Sequence, residues 1–135
     1  MTVAWSPDEL ERIGIAEELQ IAAKRADGTL GRAVPIWVVR AGVQVYVRTW
    51  YRRGSGWFGH VLESRRARIC VPGLEVDVAV KDVGEGAARL CADIDARYRT
   101  KYARHGGVRD MVTADAAATT LRLIPERDAR EEAGP

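Results

Sequence analysis

Residues 33–50 read AVPIWVVRAGVQVYVRTW, two apolar stretches that meet at Ala41-Gly42. Valine, isoleucine and aromatic residues favour extended backbone, and a two-residue connection that contains glycine is typical of a β-hairpin. The stretch therefore predicts two antiparallel strands, over residues 33–40 and 43–50. This hairpin is the clearest structural signal in the chain.

The two faces of the second strand carry different kinds of side chain, because neighbouring residues of a strand point to opposite sides. One face carries Val43, Val45, Val47 and Thr49, and the other carries Gln44, Tyr46, Arg48 and Trp50. The valine face is expected in the core. Large aromatic side chains cluster where something covers them, so the other face needs a helix, a partner subunit or a ligand above it. A helix or a subunit is favoured over a ligand ring.

The segment from residue 24 to residue 68 is strongly basic, with a net charge of +8 in a chain whose formal total is +2. Its only acids are Asp27 and Glu63, and its basic residues are Lys24, Arg25, Arg32, Arg40, Arg48, Arg52, Arg53, Arg65, Arg66 and Arg68. Guanidinium groups bind phosphate with paired hydrogen bonds and stack on aromatic rings. The segment therefore predicts a site for a small anionic aromatic ligand, whereas the modest total charge disfavours nucleic acid.

Local signals predict the remaining elements. Ser6, Pro7 and Glu9 form the pattern of a capping box at the start of a short helix. The other predicted elements are strands over 18–24, 67–71, 74–80 and 119–124, a helix over 57–65 and a long amphipathic helix over 87–104. Leu90, Ile94, Tyr98 and Tyr102 share one face of the long helix, with the tyrosine hydroxyls expected at its rim. One domain is expected over residues 1–125, followed by a disordered tail over 126–135.

Composition gives further expectations. A length of 135 residues, with 47% hydrophobic and 30% charged residues, fits one globular domain. No leader-like or span-length apolar run is present, so we expect a cytoplasmic location and no membrane association. Cys70 and Cys91 have no neighbours at ligand spacing, so we predict no metal site and two small buried side chains. His60 and His105 are expected at the surface or in local hydrogen bonds.

Several short motifs occur in a recognisable order along residues 18–125. They are Lys24-Arg25 before the Asp27-Gly28 turn, RAVPI at 32–36, YVR at 46–48, RRG at 52–54, Trp57-Phe58 with Leu62, ARI at 67–69 and TLRL at 120–123. This order resembles the split β-barrel superfamily of pyridoxamine-phosphate-oxidase-like flavin binders, near its deazaflavin-dependent nitroreductase branch. The nearest likeness is to an uncharacterised bacterial domain-of-unknown-function family beside that branch.

The resemblance implies a fold of the α+β class, mainly β. The expected architecture is a split antiparallel β-barrel with a short N-terminal helix, a short Trp-led helix and one long amphipathic helix. It also implies a bound cofactor, either FMN or a deazaflavin. A homodimer is expected as well, because an open barrel with apolar and aromatic residues on both faces of one hairpin leaves area that a monomer would not readily cover. The implied cofactor-binding residues fall into three groups: Lys24, Arg25 and Arg32 for the distal acidic end, Arg48, Thr49, Arg52 and Arg53 for the phosphate, and Trp57 and Phe58 for the ring.

Each implied role has a structural alternative. Arg52 and Arg53 also suit a solvated loop, and Trp57 and Phe58 also suit helix anchors in the core. Three functions therefore stay open: a flavin- or deazaflavin-dependent oxidoreductase, a non-catalytic module for a flavin, haem or related ligand, and a cofactor-free dimeric structural protein. The absence of an acid–base pair does not exclude the first, since the cofactor would supply the hydride chemistry.

Overall fold

A computed structural model describes residues 4–49, 56–84 and 88–126 of the chain. Its strands form one antiparallel sheet in the order β2-β1-β5-β6-β7-β4-β3. The strands are β1 Leu19–Ala23, β2 Val34–Ile36, β3 Val39–Ala41, β4 Gln44–Val47, β5 Arg66–Val71, β6 Leu74–Asp82 and β7 Leu121–Pro125. All neighbouring strands pair antiparallel, so the sheet is built from hairpins and longer returns.

The sheet curls into a half-barrel, and the predicted α+β split-barrel fold is confirmed. Its two outermost strands, β2 and β3, are consecutive in the chain and are separated only by Trp37 and Val38. The predicted single strand over 33–40 is therefore two short strands that belong to opposite edges. Pro35 lies in β2, an edge strand, where a missing backbone N–H donor is tolerated.

The β3–β4 hairpin turns one residue later than predicted. Ala41 pairs with Gln44, which makes Gly42-Val43 the connection. Gly42 has φ +62°, the left-handed conformation that the first position of such a turn requires. Val43 was expected in the core but is 62% exposed because it lies in the turn. Val45 and Val47 are fully buried as predicted.

Five helices accompany the sheet in the described ranges: α1 Pro7–Ile15, α2 Gly56–Ser64, α3 Ala88–Lys101, α4 Val108–Met111 and α5 Ala114–Ala117. The predicted capping box of α1 is present, because Ser6 and Glu9 exchange side-chain to backbone hydrogen bonds. The long helix α3 ends at Lys101, three residues before its predicted end at residue 104. Among the helices described, none has both the length and the apolar character needed to cross a lipid bilayer.

Buried side chains form two clusters on opposite sides of the sheet. The inner cluster fills the barrel, with Val45, Val47 and Phe58 among its members. The outer cluster joins Val39 and Tyr46 to Ile94 and Tyr98 of α3. The second face of β4 is thus covered by a helix, one of the alternatives that the aromatic pattern allowed.

Tyr102 ties three parts of the chain together just after α3. Its hydroxyl accepts a hydrogen bond from the Val38 N–H (3.1 Å) and donates to the Glu17 carbonyl (2.7 Å). The prediction of a hydroxyl at the rim is wrong for Tyr102, whose side chain is buried. Tyr98 is also fully buried, and its hydroxyl has no hydrogen-bond partner among the described residues.

The structure bears on two smaller expectations, the burial of the cysteines and the start of the tail. Cys70 and Cys91 are free thiols of intermediate exposure, so the prediction of fully buried cysteines is wrong in degree. Glu126, placed in the tail by the sequence, donates its N–H to the Asp77 carbonyl and pairs with Arg66. The remainder of the predicted tail, residues 127–135, lies outside the described residues.

Candidate functional site

A cleft of about 530 Å³ lies where the connection between β1 and β2 faces helix α2. Its volume is within the range of roughly 300–1,000 Å³ that is usual for sites of small molecules. The side chains that give it chemical character are Arg25, Arg32, Pro35, Trp57 and His60. Three of these five, Arg25, Arg32 and Trp57, were singled out from the sequence.

The β1–β2 connection is held by a compact turn. The Asp27 carboxylate accepts hydrogen bonds from the backbone N–H and the hydroxyl of Thr29, at 2.9 and 2.6 Å. These hydrogen bonds hold the pKa of Asp27 below its usual value. Gly28 has φ +88°, as the Asp-Gly turn signal predicted. The turn gives this basic segment a defined backbone.

Arg25 is positioned by that turn. One terminal nitrogen, Nη1, donates to the Thr29 hydroxyl (3.2 Å) and to the Leu30 carbonyl (2.9 Å). The other, Nη2, lies 3.8 Å from the point that a Cβ on Gly31 would occupy. No hydrogen bond or ion pair within the described ranges uses Nη2 or Nε. The guanidinium is therefore anchored through one nitrogen and retains donors for a ligand.

Arg32 and His60 supply the other polar groups of the cleft. Both side chains are exposed, and neither has a hydrogen-bond or ion-pair partner in the described parts of the chain. Since unpaired donors beside a concave surface are free to bind an incoming anion, both are candidate ligand contacts. His60 lies three residues after Trp57 on α2, so the two share one helix face.

Trp57 and Phe58 have separate roles. The Trp57 indole is half-buried and lines the cleft, and its ring meets the Phe58 ring edge to face with centroids 5.5 Å apart. Phe58 is buried in the barrel core. Phe58 thus acts as the helix anchor that the sequence offered as an alternative, whereas Trp57 presents an aromatic surface to the cleft.

Lys24 lies beside the cleft, but its charge is already paired. Its Nζ is 2.9 Å from the Asp77 carboxylate, which also accepts from Arg68 Nε at 2.7 Å. The hydrogen bond from Arg68, followed by that from Lys24, lowers the pKa of Asp77 to about 2. Lys24 is therefore part of a structural ion triad that joins β1, β5 and β6.

Arg48 lies in the interior rather than at the cleft. Its side chain is completely buried and donates to the Thr120 hydroxyl (2.8 Å), the Met111 carbonyl (2.8 Å) and the Asp95 carboxylate, with a longer contact to the Cys91 carbonyl. This set of partners occupies the guanidinium, so in this conformation it cannot also hold a cofactor phosphate.

Thr49 is likewise buried, and its backbone N–H and carbonyl both bond the Thr119 hydroxyl. The remaining two predicted phosphate residues, Arg52 and Arg53, lie outside the described residues. Of the predicted phosphate group, the structure therefore brings none to the cleft that it describes, and the cleft's cations come from the group assigned to the distal acidic end.

His60 is the cleft residue that the sequence did not indicate. It stands 35 positions after Arg25, and no motif joins the two. The available signal was its position one helical turn after Trp57, on the same helix face as a residue already singled out. Only the packing of α2 against β1 brings this histidine to the basic turn.

The chain matches a known protein family. Residues 9–123 match the sequence profile of the family described as "Uncharacterized protein conserved in bacteria (DUF2255)". No protein with curated information matches the chain significantly. The match covers most of the chain, including every residue of the cleft.

Solved structures share the fold at low sequence identity. A protein from Bacteroides thetaiotaomicron, provisionally described as a 5-nitroimidazole antibiotic resistance protein, has a TM-score of 0.62 and 12% identity over 93% of this chain and 82% of that one. A FAD-binding protein from Mesorhizobium loti has a TM-score of 0.58 and 14% identity over 92% of each chain. The heme storage protein HutZ from Vibrio cholerae has a TM-score of 0.62 and 16% identity over 95% of this chain and 93% of that one. These likenesses confirm the predicted fold.

Proposed function

We propose that this chain, which belongs to the bacterial family DUF2255, binds a phosphorylated, planar cofactor of the flavin type. The proposed site is the cleft between α2 and the β1–β2 connection. One observation carries the proposal. Arg25, Arg32 and Trp57, which the family resemblance assigned to different parts of one ligand, all line a single cavity of suitable volume. Two proteins of similar fold are described as FAD-binding and heme storage proteins, which supports a ligand of this class.

The residues of the cleft fit such a cofactor chemically. Arg32, the free nitrogens of Arg25 and the His60 imidazole can donate to phosphate oxygens. Pro35 and the Trp57 indole offer an apolar wall and an aromatic surface for a ring system. A mononucleotide needs this combination of one cationic region and one apolar region.

We further propose that the bound cofactor serves the reduction of small organic substrates. A flavin or deazaflavin supplies hydride transfer, and the protein supplies binding and orientation. The described residues would then need no acid–base pair of their own. The runner-up is a carrier that binds the same ligand without turnover.

Titration of the purified chain with FMN, followed by quenching of flavin fluorescence, tests the binding proposal. Replacing Arg32 with Ala should weaken binding by about 1.5–3 kcal/mol, roughly 10- to 150-fold, the range for hydrogen bonds to charged groups. Arg109→Ala is the matched control, because it removes an exposed arginine that does not line the cleft.

Equal affinity of the wild type and Arg32→Ala would remove Arg32 from the site. Absence of binding of FMN, FAD and a deazaflavin by the wild type would overturn the proposed function and favour a cofactor-free structural protein. Tight binding without oxidation of a reduced nicotinamide in the presence of a nitro dye would assign the carrier function instead of the reductase.

A further inference from the structure

A second cavity of about 460 Å³, the side chamber, adjoins the cleft. The two cavities share a wall formed by Ala23, Arg25, Gly31 and His60. The residues found only in the side chamber are Lys24, Ala26, Glu63 and Ser64. Arg25 and His60 therefore stand between two spaces that one ligand could occupy together.

The combined groove follows one face of α2. Its helical wall runs from Gly56 through His60 to Ser64, and at 1.5 Å per residue this spacing corresponds to about 12 Å along the helix axis. With a flavin ring against Trp57 in the cleft, the phosphate that follows the ring would face Arg25 and His60 at the junction. A ligand that occupies both cavities then carries a second group beyond that phosphate.

The polar groups of the side chamber indicate which part of a ligand it would bind. The Lys24 ammonium is already paired with Asp77 at 2.9 Å, so it does not count as a free cation. The Ser64 hydroxyl is also engaged, since it donates to the Arg66 carbonyl at 2.9 Å. The exposed Glu63 carboxylate has no hydrogen-bond or ion-pair partner within residues 4–49, 56–84 and 88–126.

A free carboxylate favours hydroxyl or amine donors and repels another anion. Charge-assisted hydrogen bonds from ligand hydroxyls to Glu63 would be favourable, whereas a tail of further carboxylates would face a like charge. The side chamber therefore suits an uncharged group that carries hydroxyls, such as a nucleoside. Arg25 and His60, at the junction, can face the phosphates that precede it.

We infer that the natural ligand is a flavin dinucleotide, with its isoalloxazine ring in the cleft and its terminal nucleoside in the side chamber beside Glu63. The inference rests on the proposed function, because it assumes that the cleft holds the flavin ring. It adds the ligand's second half, and it names Glu63 as the residue that distinguishes FAD from FMN and from a deazaflavin with an acidic tail.

Parallel titration of the full chain with FMN and with FAD tests the inference. FAD should bind at least tenfold more tightly than FMN. Glu63→Ala should weaken FAD binding about tenfold and leave FMN binding unchanged, because FMN does not reach the side chamber. Glu63→Gln, which keeps the side-chain shape, should lie between the wild type and Glu63→Ala. Glu11→Ala is the matched control, since it removes an exposed acid from α1 that lines neither cavity.

The outcomes separate this inference from the proposed function. FMN and FAD binding with equal affinity, or Glu63→Ala weakening both equally, would overturn the dinucleotide assignment and leave the cleft as a flavin mononucleotide site. Failure of the wild type to bind either flavin would overturn both. Arg32→Ala should weaken FMN and FAD by the same factor, because Arg32 lines only the cleft that both ligands occupy.

Discussion

Arginine residues of the basic segment have different roles, according to the partners that the fold gives them. Arg32 is exposed and unpaired in the described parts of the chain, and Arg25 is held by a turn with donors to spare. Arg48 is buried under α3 and bonds four different groups. One residue type therefore provides both the candidate ligand contacts and a structural centre, and substitutions should separate the two roles.

Arg48→Met should destabilise the fold by about 3 kcal/mol, because it leaves the partly buried Asp95 carboxylate without its cation. Urea unfolding followed by circular dichroism measures the change. Arg48→Lys should recover little, since one ammonium cannot reproduce the planar set of donors. Arg109→Ala should change stability by less than about 0.5 kcal/mol. Wild-type stability combined with lost flavin affinity in Arg48→Met would instead restore the sequence-based prediction that Arg48 binds phosphate.

Arg65→Gly should stabilise the protein. Arg65 follows α2 with φ +60°, the left-handed conformation that costs roughly 1–2 kcal/mol for a residue with a Cβ. Glycine removes this cost in the folded state. Its greater conformational freedom also stabilises the unfolded state by roughly 0.5–1 kcal/mol, so we expect the free energy of unfolding to rise by about 0.5–1 kcal/mol in total. The urea midpoint should rise, and a lower midpoint would show that the arginine side chain contributes more than its backbone costs.

At the scale of elements, the site depends on how the ends of strands and helices approach one another. Helix α2 directly precedes β5 in the chain and packs on β1. This packing places the helix face with Trp57 and His60 beside the β1–β2 connection. Elsewhere, Gly84, in the segment after β6, lies close to the backbone of Ala117 and Ala118 at the end of α5. These close approaches of backbone tolerate little change in volume.

Gly84→Ala tests the approach after β6. A Cβ at Gly84 would lie 2.0 Å from the Ala118 carbonyl oxygen, a backbone atom that can yield only if the chain shifts. The variant should lose about 1–3 kcal/mol of stability, as is usual for overpacking. Gly106→Ala is the matched control, because nothing lies within 4 Å of its added Cβ. Equal urea midpoints for the two variants would contradict the close approach.

At the scale of the whole molecule, three sets of contacts stabilise the half-barrel: one on its inner face and two on its outer face. The inner cluster fills the barrel, and α3 covers β3 and β4 from outside. On the outer face, the ion triad of Lys24, Asp77 and Arg68 links the end of β1 to β5 and β6, and Arg68 pairs with the buried Ala22 in the strand register. This triad connects three strands and couples stability to pH.

Stability should decline in acid through Asp77. Its folded-state pKa of about 2 lies below the ordinary value of 3.8, so the carboxylate stabilises the fold above about pH 4, and this contribution is lost as the pH falls from 4 to 2. Asp77→Asn should be less stable at pH 7, by on the order of 1 kcal/mol after solvent screening. Urea midpoints should show the difference from wild type vanishing near pH 2, whereas a difference that persists there would exclude the charge as its cause. Glu11→Gln serves as the control.

A homodimer is a further expectation at this scale. The face of the β3–β4 hairpin that suggested a subunit contact is covered by α3, so the support that remains comes from two exposed apolar side chains, Ile15 at 78% and Val43 at 62% exposure. Sedimentation equilibrium at tens of micromolar should give a dimer. A monomer under those conditions would contradict the expectation and would mean that the cleft is formed by one chain alone.

The sequence by itself determined the features that depend on neighbouring residues. The capping box of α1, the Asp27-Gly28 turn, the β5–β6 hairpin and the buried Val45 and Val47 follow from local propensity and from the two-residue alternation of strands. These features gave the separate helices, strands and turns, whereas the split barrel was implied by the family resemblance that the order of the motifs along the chain carries.

Only the tertiary structure decided which charged side chains are buried and which are exposed. Nothing near Arg48 or Arg32 in the sequence distinguishes a buried guanidinium from an exposed one, because Arg48 is buried by contacts with α3 and Thr120, far away along the chain. The meeting of Arg25 with His60 likewise requires the packing of α2 on β1. Burial and partnership are properties of contacts between distant segments, and local patterns do not encode them.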